Sequence, residues 1–398
     1  MASIDPFMFS LIAVAVIYGL IAIFLYKNRA NVQIQWMLFI PVILYRSKRT
    51  IEQVRKLGRA YSKFWQIYGT IAIPVAFGGM IIIFGFLAYQ VYKIIQDPSL
   101  GASVQFILPG ATASSSGLVQ FIPVGYFLGA LAIILVVHEL MHGVVAEAFN
   151  LKLKSVGFGL LAIIPLAFVE PDEKQFNNAP LRAREAVLAS GAFTNFVVAA
   201  IVIGLTTFAV APAIANTFDF NGLAIEHISE GLPADLAGLE KGDVITKVSG
   251  QTFSSVDGFV KLMRDKTPGQ TVILTTNNGD KTVTLGEDPK DTSKPYLGIK
   301  FKGDVSIKPS VEAVFGQTPW ILYNIAEFFF WLFILNVGIG LFNLLPIGPL
   351  DGGKMANFLV TDILKNKKIA QKVFMLISYM SLALLVFNIF GPVVLSGI

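Results

Sequence analysis

The sequence predicts a polytopic α-helical membrane protein with about six transmembrane helices, a short membrane-associated β region and one inserted α+β domain outside the membrane. Of its 398 residues, 54% are hydrophobic and only 14% are charged. A soluble protein of this length cannot bury so much apolar surface. The apolar residues are concentrated in long segments, whereas one central segment has ordinary polar content.

Six apolar segments are near or above the roughly 20 residues that a helix needs to cross a bilayer. They are residues 7–26, 68–95, 125–149, 186–211, 318–341 and 373–395. The first lacks a preceding basic region and a following small-residue cleavage site, so we interpret it as a retained anchor and not as a signal peptide.

Basic residues predict the orientation of these segments. The loop after the first segment contains one acidic residue, Glu52, and many basic ones: Arg46, Lys48, Arg49, Arg55, Lys56, Arg59 and Lys63. The positive-inside rule puts this loop in the cytoplasm, and counting onward puts both termini outside. Basic residues within 150–185 and 342–372 agree with this assignment. We attribute the net charge of +5 to topology and expect no nucleic-acid partner.

The third apolar segment ends in a candidate metal motif, His138-Glu139-Leu140-Met141-His142. The chain has no cysteine, so a metal has to be held by histidine and carboxylate. On a helix, positions i and i+4 share one face, so two imidazoles can bind one ion while the glutamate beside them serves as a base. The alternative is a histidine pair that only packs against its neighbours. Ionisable groups at membrane depth are costly and usually functional, which favours the metal.

A third metal ligand is expected from another segment. His227 lies in the polar segment that the charge rule puts outside, so a carboxylate is the expected ligand. Asp351 is the candidate, because it follows Asn343-Leu-Leu-Pro-Ile-Gly-Pro-Leu and precedes Gly352-Gly353, where proline and glycine break the fifth segment. The alternative role of Asp351 is to cap a broken helix end.

Residues 218–305 predict the α+β domain. Short alternating runs favour strands at Leu223–Ile228, Val244–Val248, Val272–Thr276 and Val283–Leu285. Asn277-Asn278-Gly279-Asp280 is a hairpin signal, and Phe259–Met263 has helical spacing. The stretch Gly231–Ile245 resembles the PDZ signature, in which a short helix and a Gly-Asp turn lead into a strand. We therefore expect an extracytoplasmic PDZ-like α+β domain.

These observations divide the chain into four parts. The parts are an N-terminal membrane region with two transmembrane helices and the basic cytoplasmic loop (1–124), the first half of the membrane core (125–217), the PDZ-like domain (218–305), and the second half of the core with the C-terminal helix (306–398).

Three motifs together resemble the site-2 protease family of intramembrane zinc metalloproteases. They are His138-Glu139-x-x-His142, Gly191-x-x-x-Asn195, and Asn343-x-x-Pro346 through Leu350-Asp351-Gly352. The similarity covers about residues 125–360, and a PDZ domain inserted between the second and third motifs is a known variation of that family. Met141 and Lys354 depart from the usual pattern, and a residue as large as Met141 could narrow the site.

The resemblance implies a function and a set of site residues. One Zn²⁺ per chain is held by His138, His142 and Asp351, and Glu139 acts as general base. The implied protein is a multi-pass protein of a prokaryotic cell membrane, with its active site toward the cytoplasm. It hydrolyses peptide bonds of transmembrane proteins or peptides within the lipid bilayer.

Two asparagines and one glycine are candidates for substrate binding. The Asn195 amide can hold the substrate carbonyl or its developing oxyanion, and Gly191 on the same helix face permits close approach. An interhelical hydrogen bond without a chemical role is the alternative. Asn343 has the same pair of alternatives.

Residues 151–170 and the PDZ-like domain are expected to control access to the site. Gly157, Gly159 and Pro165 argue against a spanning helix and favour short strands at 151–170. Their edge can bind an extended substrate, and a loop that merely plugs the site is the alternative. The PDZ-like domain is expected either to exclude substrates until an earlier cut shortens them, or to capture a chain end beside Gly222-Leu-Ala-Ile225.

Two other functions compete with a protease. One is a catalytically inactive membrane scaffold that carries a PDZ domain, which an intact Glu139 disfavours. The other is a zinc transporter, which needs a continuous polar path, whereas the candidate ligands here converge at one depth.

Overall fold

The computed structural model describes residues 6–37, 40–98, 101–110, 114–161, 164–288 and 291–396. In chain order the helices are α1 (Pro6–Lys27), α2 (Lys48–Ala60), α3 (Ser62–Gln96), α4 (Val124–Ala148), α5 (Glu173–Asn178), α6 (Leu181–Leu205), α7 (Ala211–Thr217), α8 (Pro233–Leu236), α9 (Val256–Arg264), α10 (Pro309–Phe315), α11 (Ile321–Asn343), α12 (Asp351–Leu364) and α13 (Lys367–Ser396). A π-helical turn, Thr206–Val210, joins α6 to α7.

Within the described residues the strands form four separate sheets. In chain order they are β1 (Val32–Met37), β2 (Ile40–Arg46), β3 (Phe106–Gly110), β4 (Ser114–Ser116), β5 (Val119–Pro123), β6 (Leu153–Leu161), β7 (Ile164–Pro171), β8 (Phe218–Ile228), β9 (Val244–Val248), β10 (Gln251–Thr252), β11 (Thr271–Thr276), β12 (Gly279–Thr284), β13 (Gly286–Asp288), β14 (Asp291–Tyr296) and β15 (Ile299–Ile307). The chain divides into two compact units, one of residues up to Leu205 and from Glu327 onward, the other from Thr206 to Ala326.

Five helical segments of the described chain are long and apolar enough to cross a membrane. They are Ser62–Gln96, Val124–Ala148, Leu181–Thr217, Thr318–Asn343 and Lys367–Leu395. Each overlaps one of the six segments expected from the sequence. The remaining segment, 7–26, coincides with the 22-residue helix α1. The chain is therefore an integral membrane protein, while the number of crossings and their orientation stay predictions.

Small residues let the membrane helices of the first unit approach closely. Ala72 and Ala76 of α3 are buried against Ala189 and Ala192 of α6. A Cβ at Gly69 of α3 would lie 2.8 Å from a Val145 methyl of α4 and 3.1 Å from a Cβ of α6. Because lipid offers no hydrophobic drive for helix association, such close packing is what holds α3, α4 and α6 side by side.

An antiparallel sheet of order β1-β2-β6-β7 lies in the same unit. The strands expected within 151–170 are confirmed as the β6–β7 hairpin. The basic connection expected after the first apolar segment contains β1, β2 and α2. β2 pairs with β6, which is more than 100 residues away in the chain, and local pattern does not reveal such a partner.

Helix α2 is amphipathic. The Ser47 hydroxyl caps its first turn by accepting from the Thr50 N–H at 3.1 Å. Val54 and Gly58 are its buried residues. Because residue 58 has no side chain, the helix lies directly on the Val144 carbonyl of α4.

A small sheet occupies part of residues 97–124, where a surface loop or a re-entrant segment was expected. Strand β5 pairs in parallel with β3 and antiparallel with β4. Its side of the membrane stays a prediction.

The second unit is PDZ-like, with strands in the order β12-β11-β9-β8-β15 and helix α9. The predicted hairpin is confirmed, since β11 and β12 pair from Thr276 opposite Gly279. The Gly231–Ile245 stretch folds as its pattern predicts, with α8 followed by a turn into β9. Asp243 fixes that turn, because one carboxylate oxygen accepts from the Glu240 N–H at 2.9 Å and the other from the Asn278 amide at 2.6 Å.

The expected groove beside Gly222–Ile225 was wrong. Leu223 is fully buried, and β8 pairs with β9 on one side and β15 on the other, so that strand has no open edge there. A groove of about 580 Å³ lies instead between α9 and the chain that enters β15, lined by Phe259, Met263 and Leu297 among others.

Candidate metal centre

Helix α4 places the two histidines on one buried face. The rings of His138 and His142 have centroids 4.8 Å apart and are nearly perpendicular. The Nε2 atoms of His138 and His142 lie 3.1 Å and 3.2 Å from the same oxygen, Oδ2 of Asp351. Two ligand atoms about 2.1 Å from one tetrahedral centre would be about 3.4 Å apart, so the observed spacing fits a shared ion.

The loop before α12 fixes Asp351, the first residue of that helix. A Cβ at Gly352 would collide with the Leu344 carbonyl, and one at Gly353 with the Ile347 carbonyl. Only paired glycines let the loop pack on the first turn.

The Nδ1 atom of each histidine, on the side of the ring away from Asp351, has a hydrogen-bond partner of the kind found for metal-binding histidines. Nδ1 of His142 lies 2.7 Å from the Val187 carbonyl, which can only accept. Nδ1 therefore carries the proton, and the lone pair of Nε2 is left for an ion.

Asn195 is the corresponding partner of His138. The fully buried amide contacts His138 Nδ1 through Nδ2 at 3.2 Å, and its Oδ1 has no partner among the described residues. A half-turn of the amide exchanges the two atoms, so that Oδ1 accepts from Nδ1–H and the orphaned oxygen is satisfied. That arrangement again leaves Nε2 for an ion.

Gly191 of α6 leaves the space in front of the histidines open. A Cβ at this position would lie 2.5 Å from His142 Nε2 and 2.6 Å from His138 Nε2. The side chain of a larger residue would occupy the space that an ion bound to both Nε2 atoms needs. The donor set, the orphaned amide oxygen and this cradle together fit a metal ion such as Zn²⁺.

Two carboxylates lie beside the histidines, and their contacts differ. The ligand atoms of His138, Glu139 and His142 lie within 4.8 Å of one another. However, Oε2 of Glu139 accepts from the Val169 N–H of β7 at 3.2 Å, whereas Oδ2 of Asp351 contacts both histidines. Of the two carboxylates, Asp351 is thus the one that shares an oxygen with both histidines.

A cavity of about 440 Å³ opens from this centre. It is lined by Glu139, His142, Val169, Glu170, Pro171, Glu173, Phe176, Asn177, Val187, Leu188, Asp351, Lys354 and Phe358. Lys354 Nζ lies 3.8 Å from Oδ1 of Asp351, the oxygen that faces away from the histidines. Met141 does not line this cavity and packs with Val54 and Val187 instead, so it does not narrow the site there.

The remaining sequence candidates lie elsewhere. Asn343 ends α11 and is partly exposed, and within the described part of the chain no hydrogen bond links it to the histidines. His227 lies in β8 of the second unit.

The sequence did not predict the clamp that joins α2 to α4. Glu147 is completely buried near the end of α4 and pairs with Arg59 at 3.0 Å and Arg55 at 3.6 Å. The signal was the one-sided spacing of the basic residues in α2, which topology alone seemed to explain. The ion pairs anchor the end of the helix that carries both histidines.

Comparisons with known proteins give the family of the chain. The sequence model of peptidase family M50 matches residues 126–388, well over half of the chain. The chain belongs to peptidase family M50. Its resemblance to the site-2 proteases is thereby confirmed, and this M50 chain is a membrane-embedded member of a protease family.

Relatives of this M50 chain include archaeal and bacterial proteins. An uncharacterized protein of Methanocaldococcus jannaschii is 29% identical, covering 88% of this chain and 85% of that one. The zinc metalloprotease RasP of Shouchella clausii is 25% identical over 51% of this chain and 56% of its own length. The regulator of sigma-W protease RasP of Bacillus subtilis is 22% identical over 55% and 61%. This chain thus spans less than two thirds of either RasP protein.

A solved PDZ domain matches part of this M50 chain. The PDZ domain of the SdrC-like protein from Listeria monocytogenes is 28% identical, covering 21% of this chain and 88% of that domain, with a TM-score of 0.19.

Proposed function

We propose that this chain is a zinc-dependent intramembrane endopeptidase with one Zn²⁺ per chain. The observation that carries the proposal is the convergence of His138 Nε2, His142 Nε2 and Asp351 Oδ2, with both imidazoles turned so that Nε2 can bind an ion. The zinc metalloprotease activity named for the RasP relatives supports it. Neither observation requires a soluble partner or nucleic acid.

Each residue of the centre has a separate task. His138, His142 and Asp351 would hold the ion, whose Lewis acidity would polarise a peptide carbonyl and make a water easy to deprotonate near neutral pH. Glu139 takes the proton of the attacking water and passes it to the leaving amine.

Asn195 acts behind the metal ligands and not on the substrate. Its amide contacts the ring of His138 on the side opposite Nε2, and it is completely buried. We therefore assign it the positioning of His138, in place of the carbonyl or oxyanion contact expected from the sequence. Gly191 keeps the ion position open in the same way, and Asn343 has no assigned contact.

The substrate is an extended segment of a transmembrane protein or peptide. A helix hides its amide bonds, so a spanning substrate has to unwind before attack, and a strand edge offers main-chain partners to an unwound segment. Strand β7 is the terminal strand of its sheet in the described chain and also lines the cavity beside Glu139. This location favours strand addition over a plug.

The PDZ-like domain controls which substrates reach the centre. We propose that it lies outside the cytoplasm, that the centre faces the cytoplasmic side, and that a substrate ectodomain has to be cut before the chain can enter. Steric exclusion is favoured over capture of a chain end, because ordering a flexible end offsets much of the contact energy. If capture operates, the groove beside α9 is its site.

An inactive PDZ-bearing scaffold is the alternative function. It is disfavoured by Glu139, since a scaffold gains nothing from an ionisable group beside a metal centre in an apolar helix.

The proposal is tested by metal analysis and cleavage of a transmembrane peptide in detergent or vesicles. Wild-type protein should contain about one zinc. Glu139→Gln should retain the metal and lose cleavage, whereas Asp351→Ala should lose the metal. His227→Ala serves as the matched control and should change neither. Cleavage by the Glu139→Gln protein would exclude the mechanism.

A further inference from the structure

The free edge of β7 can be identified residue by residue. The Val156 carbonyl of β6 accepts from the Ser47 N–H, at 2.9 Å, so the main-chain groups of Val156 face β2. Val169 stands opposite Val156 in the β6–β7 ladder. In an antiparallel ladder the N–H and C=O of one residue point to the same side, so those of Val169 point away from β6.

Main-chain groups of successive residues in β7 point alternately toward β6 and away from it. The register between 156–161 and 164–169 is unbroken, so Ala167 and Pro165 also present their main-chain groups to the free edge. Proline has no N–H to donate, and a strand tolerates it only where the ladder does not need one. The outward N–H groups in this stretch are therefore those of Ala167 and Val169.

One of these two groups contacts the catalytic helix. The Val169 N–H donates to Glu139 Oε2 at 3.2 Å. The contact is built into the packing, because Gly143, one turn after Glu139, lets β7 come close. A Cβ at Gly143 would lie 3.0 Å from a Val169 methyl.

We propose that the Val169 main-chain N–H positions the general base, and that the neighbouring main-chain groups of Ala167 anchor the substrate. This inference rests on the proposed function. The Val169 N–H holds Oε2 of Glu139, which leaves Oε1 to exchange the proton. Because base and substrate are held by the same strand edge, the strand sets the distance between Glu139 and the scissile bond. Strand addition and proton transfer thus use adjacent positions of one strand.

Two proline variants separate these roles. Val169→Pro removes the donor to Glu139, and Ala167→Pro removes the donor to substrate, at equivalent positions of one edge where Pro165 already stands. Loss of one hydrogen bond to a charged group predicts a kcat for Val169→Pro lowered by about tenfold to a hundredfold, with KM and zinc content nearly unchanged. Ala167→Pro should raise KM by about tenfold and leave kcat nearly unchanged.

Two further readouts do not depend on turnover. An extended peptide should bind to metal-free Val169→Pro as it does to metal-free wild type, and about tenfold more weakly to metal-free Ala167→Pro. In the unaltered protein, hydrogen exchange at the Val169 amide should be slower than at Ala167, and Glu139→Ala should abolish the difference. This comparison tests the contact even if Val169→Pro does not fold.

The outcomes discriminate between the inference and the proposed function. Two results would overturn the inference: a wild-type kcat in Val169→Pro, or equal exchange of the Val169 and Ala167 amides in the unaltered protein. The proposed protease function would still hold in either case, as long as Glu139→Gln is inactive. A wild-type protein that cleaves nothing and binds no zinc would reject the proposed function itself.

Discussion

A single methyl group at Gly191 should empty the metal centre without unfolding the protein. In the Gly191→Ala variant the new Cβ would lie 2.5 Å from His142 Nε2 and 2.6 Å from His138 Nε2. A carbon–nitrogen contact needs about 3.4 Å, so the rings have to move by nearly 1 Å or the helices have to separate. Metal sites tolerate displacements of only about 0.5 Å. We therefore expect zinc affinity to fall by at least about a hundredfold, or about 2.7 kcal/mol.

The helix itself should not suffer from this change. Alanine is favoured over glycine in a helix interior by about 0.5–1 kcal/mol, so the metal-free variant should be as stable as the metal-free wild type. Gly204 supplies the matched control, because it lies in the same helix and a Cβ there meets nothing within 4 Å.

The assay is competitive zinc titration with a chromogenic chelator, together with thermal unfolding of the metal-free proteins. Gly204→Ala should retain wild-type zinc affinity and cleavage. If Gly191→Ala binds zinc as tightly as Gly204→Ala, the ion does not lie between the two Nε2 atoms, and the ligand assignment fails.

Three other predictions concern the centre and its surroundings. Asn195→Ala should lower zinc affinity by about tenfold to a hundredfold, because the Nδ1 proton of His138 loses its acceptor. Asn195→Asp keeps an acceptor and should retain most of the zinc affinity. Equal affinities for Asn195→Ala and wild type in the same titration would exclude the positioning role. A single cysteine at Lys56 should react with an impermeant reagent only from the cytoplasmic side and one at Asp280 only from outside, a test that the lack of native cysteine simplifies; reversed reactivity would overturn the orientation. Replacing residues 218–305 with a flexible linker should permit cleavage of substrates with long ectodomains and leave short substrates unaffected, as measured by gel analysis of both, whereas slower cleavage of the short substrates would favour capture.

Local patterns were sufficient for the elements that local physics controls. The helical period puts His138 and His142 on one face, and the structure retains that geometry. The Asn277-Asn278-Gly279 turn and the β6–β7 hairpin likewise depend on neighbours in the chain. The peptide-binding groove, in contrast, depends on which strands pair in the folded domain, and its predicted position was wrong. The sequence predicted a groove beside Gly222–Ile225 of β8, but β9 and β15 pair with the two edges of that strand.

Long-range contacts decided what the sequence left open. The α2–α4 clamp joins Arg59 to Glu147, 88 residues away, and the one-sided spacing of the basic residues in α2 does not identify Glu147 as their partner. The role of Asn195 changed for the same reason. Its position on α6 fits a substrate contact or an interhelical bond, and only the packing of α6 on α4 turns the amide toward His138.

The sequence by itself determined the membrane class, the helical histidine pair with its adjacent glutamate, and the PDZ-like insertion. The membrane class follows from composition and the histidine pair from the helical period, whereas the PDZ-like insertion was identified by its resemblance to the PDZ signature. Only the tertiary structure decided that Asp351, 213 residues from His138, brings one oxygen to both imidazoles, and that Val169 holds Glu139. Such contacts depend on how closely helices and strands approach one another. Gly191, Gly143 and Gly352 permit these close approaches because they have no side chain. The sequence pattern does not identify which residues lie next to these glycines in space.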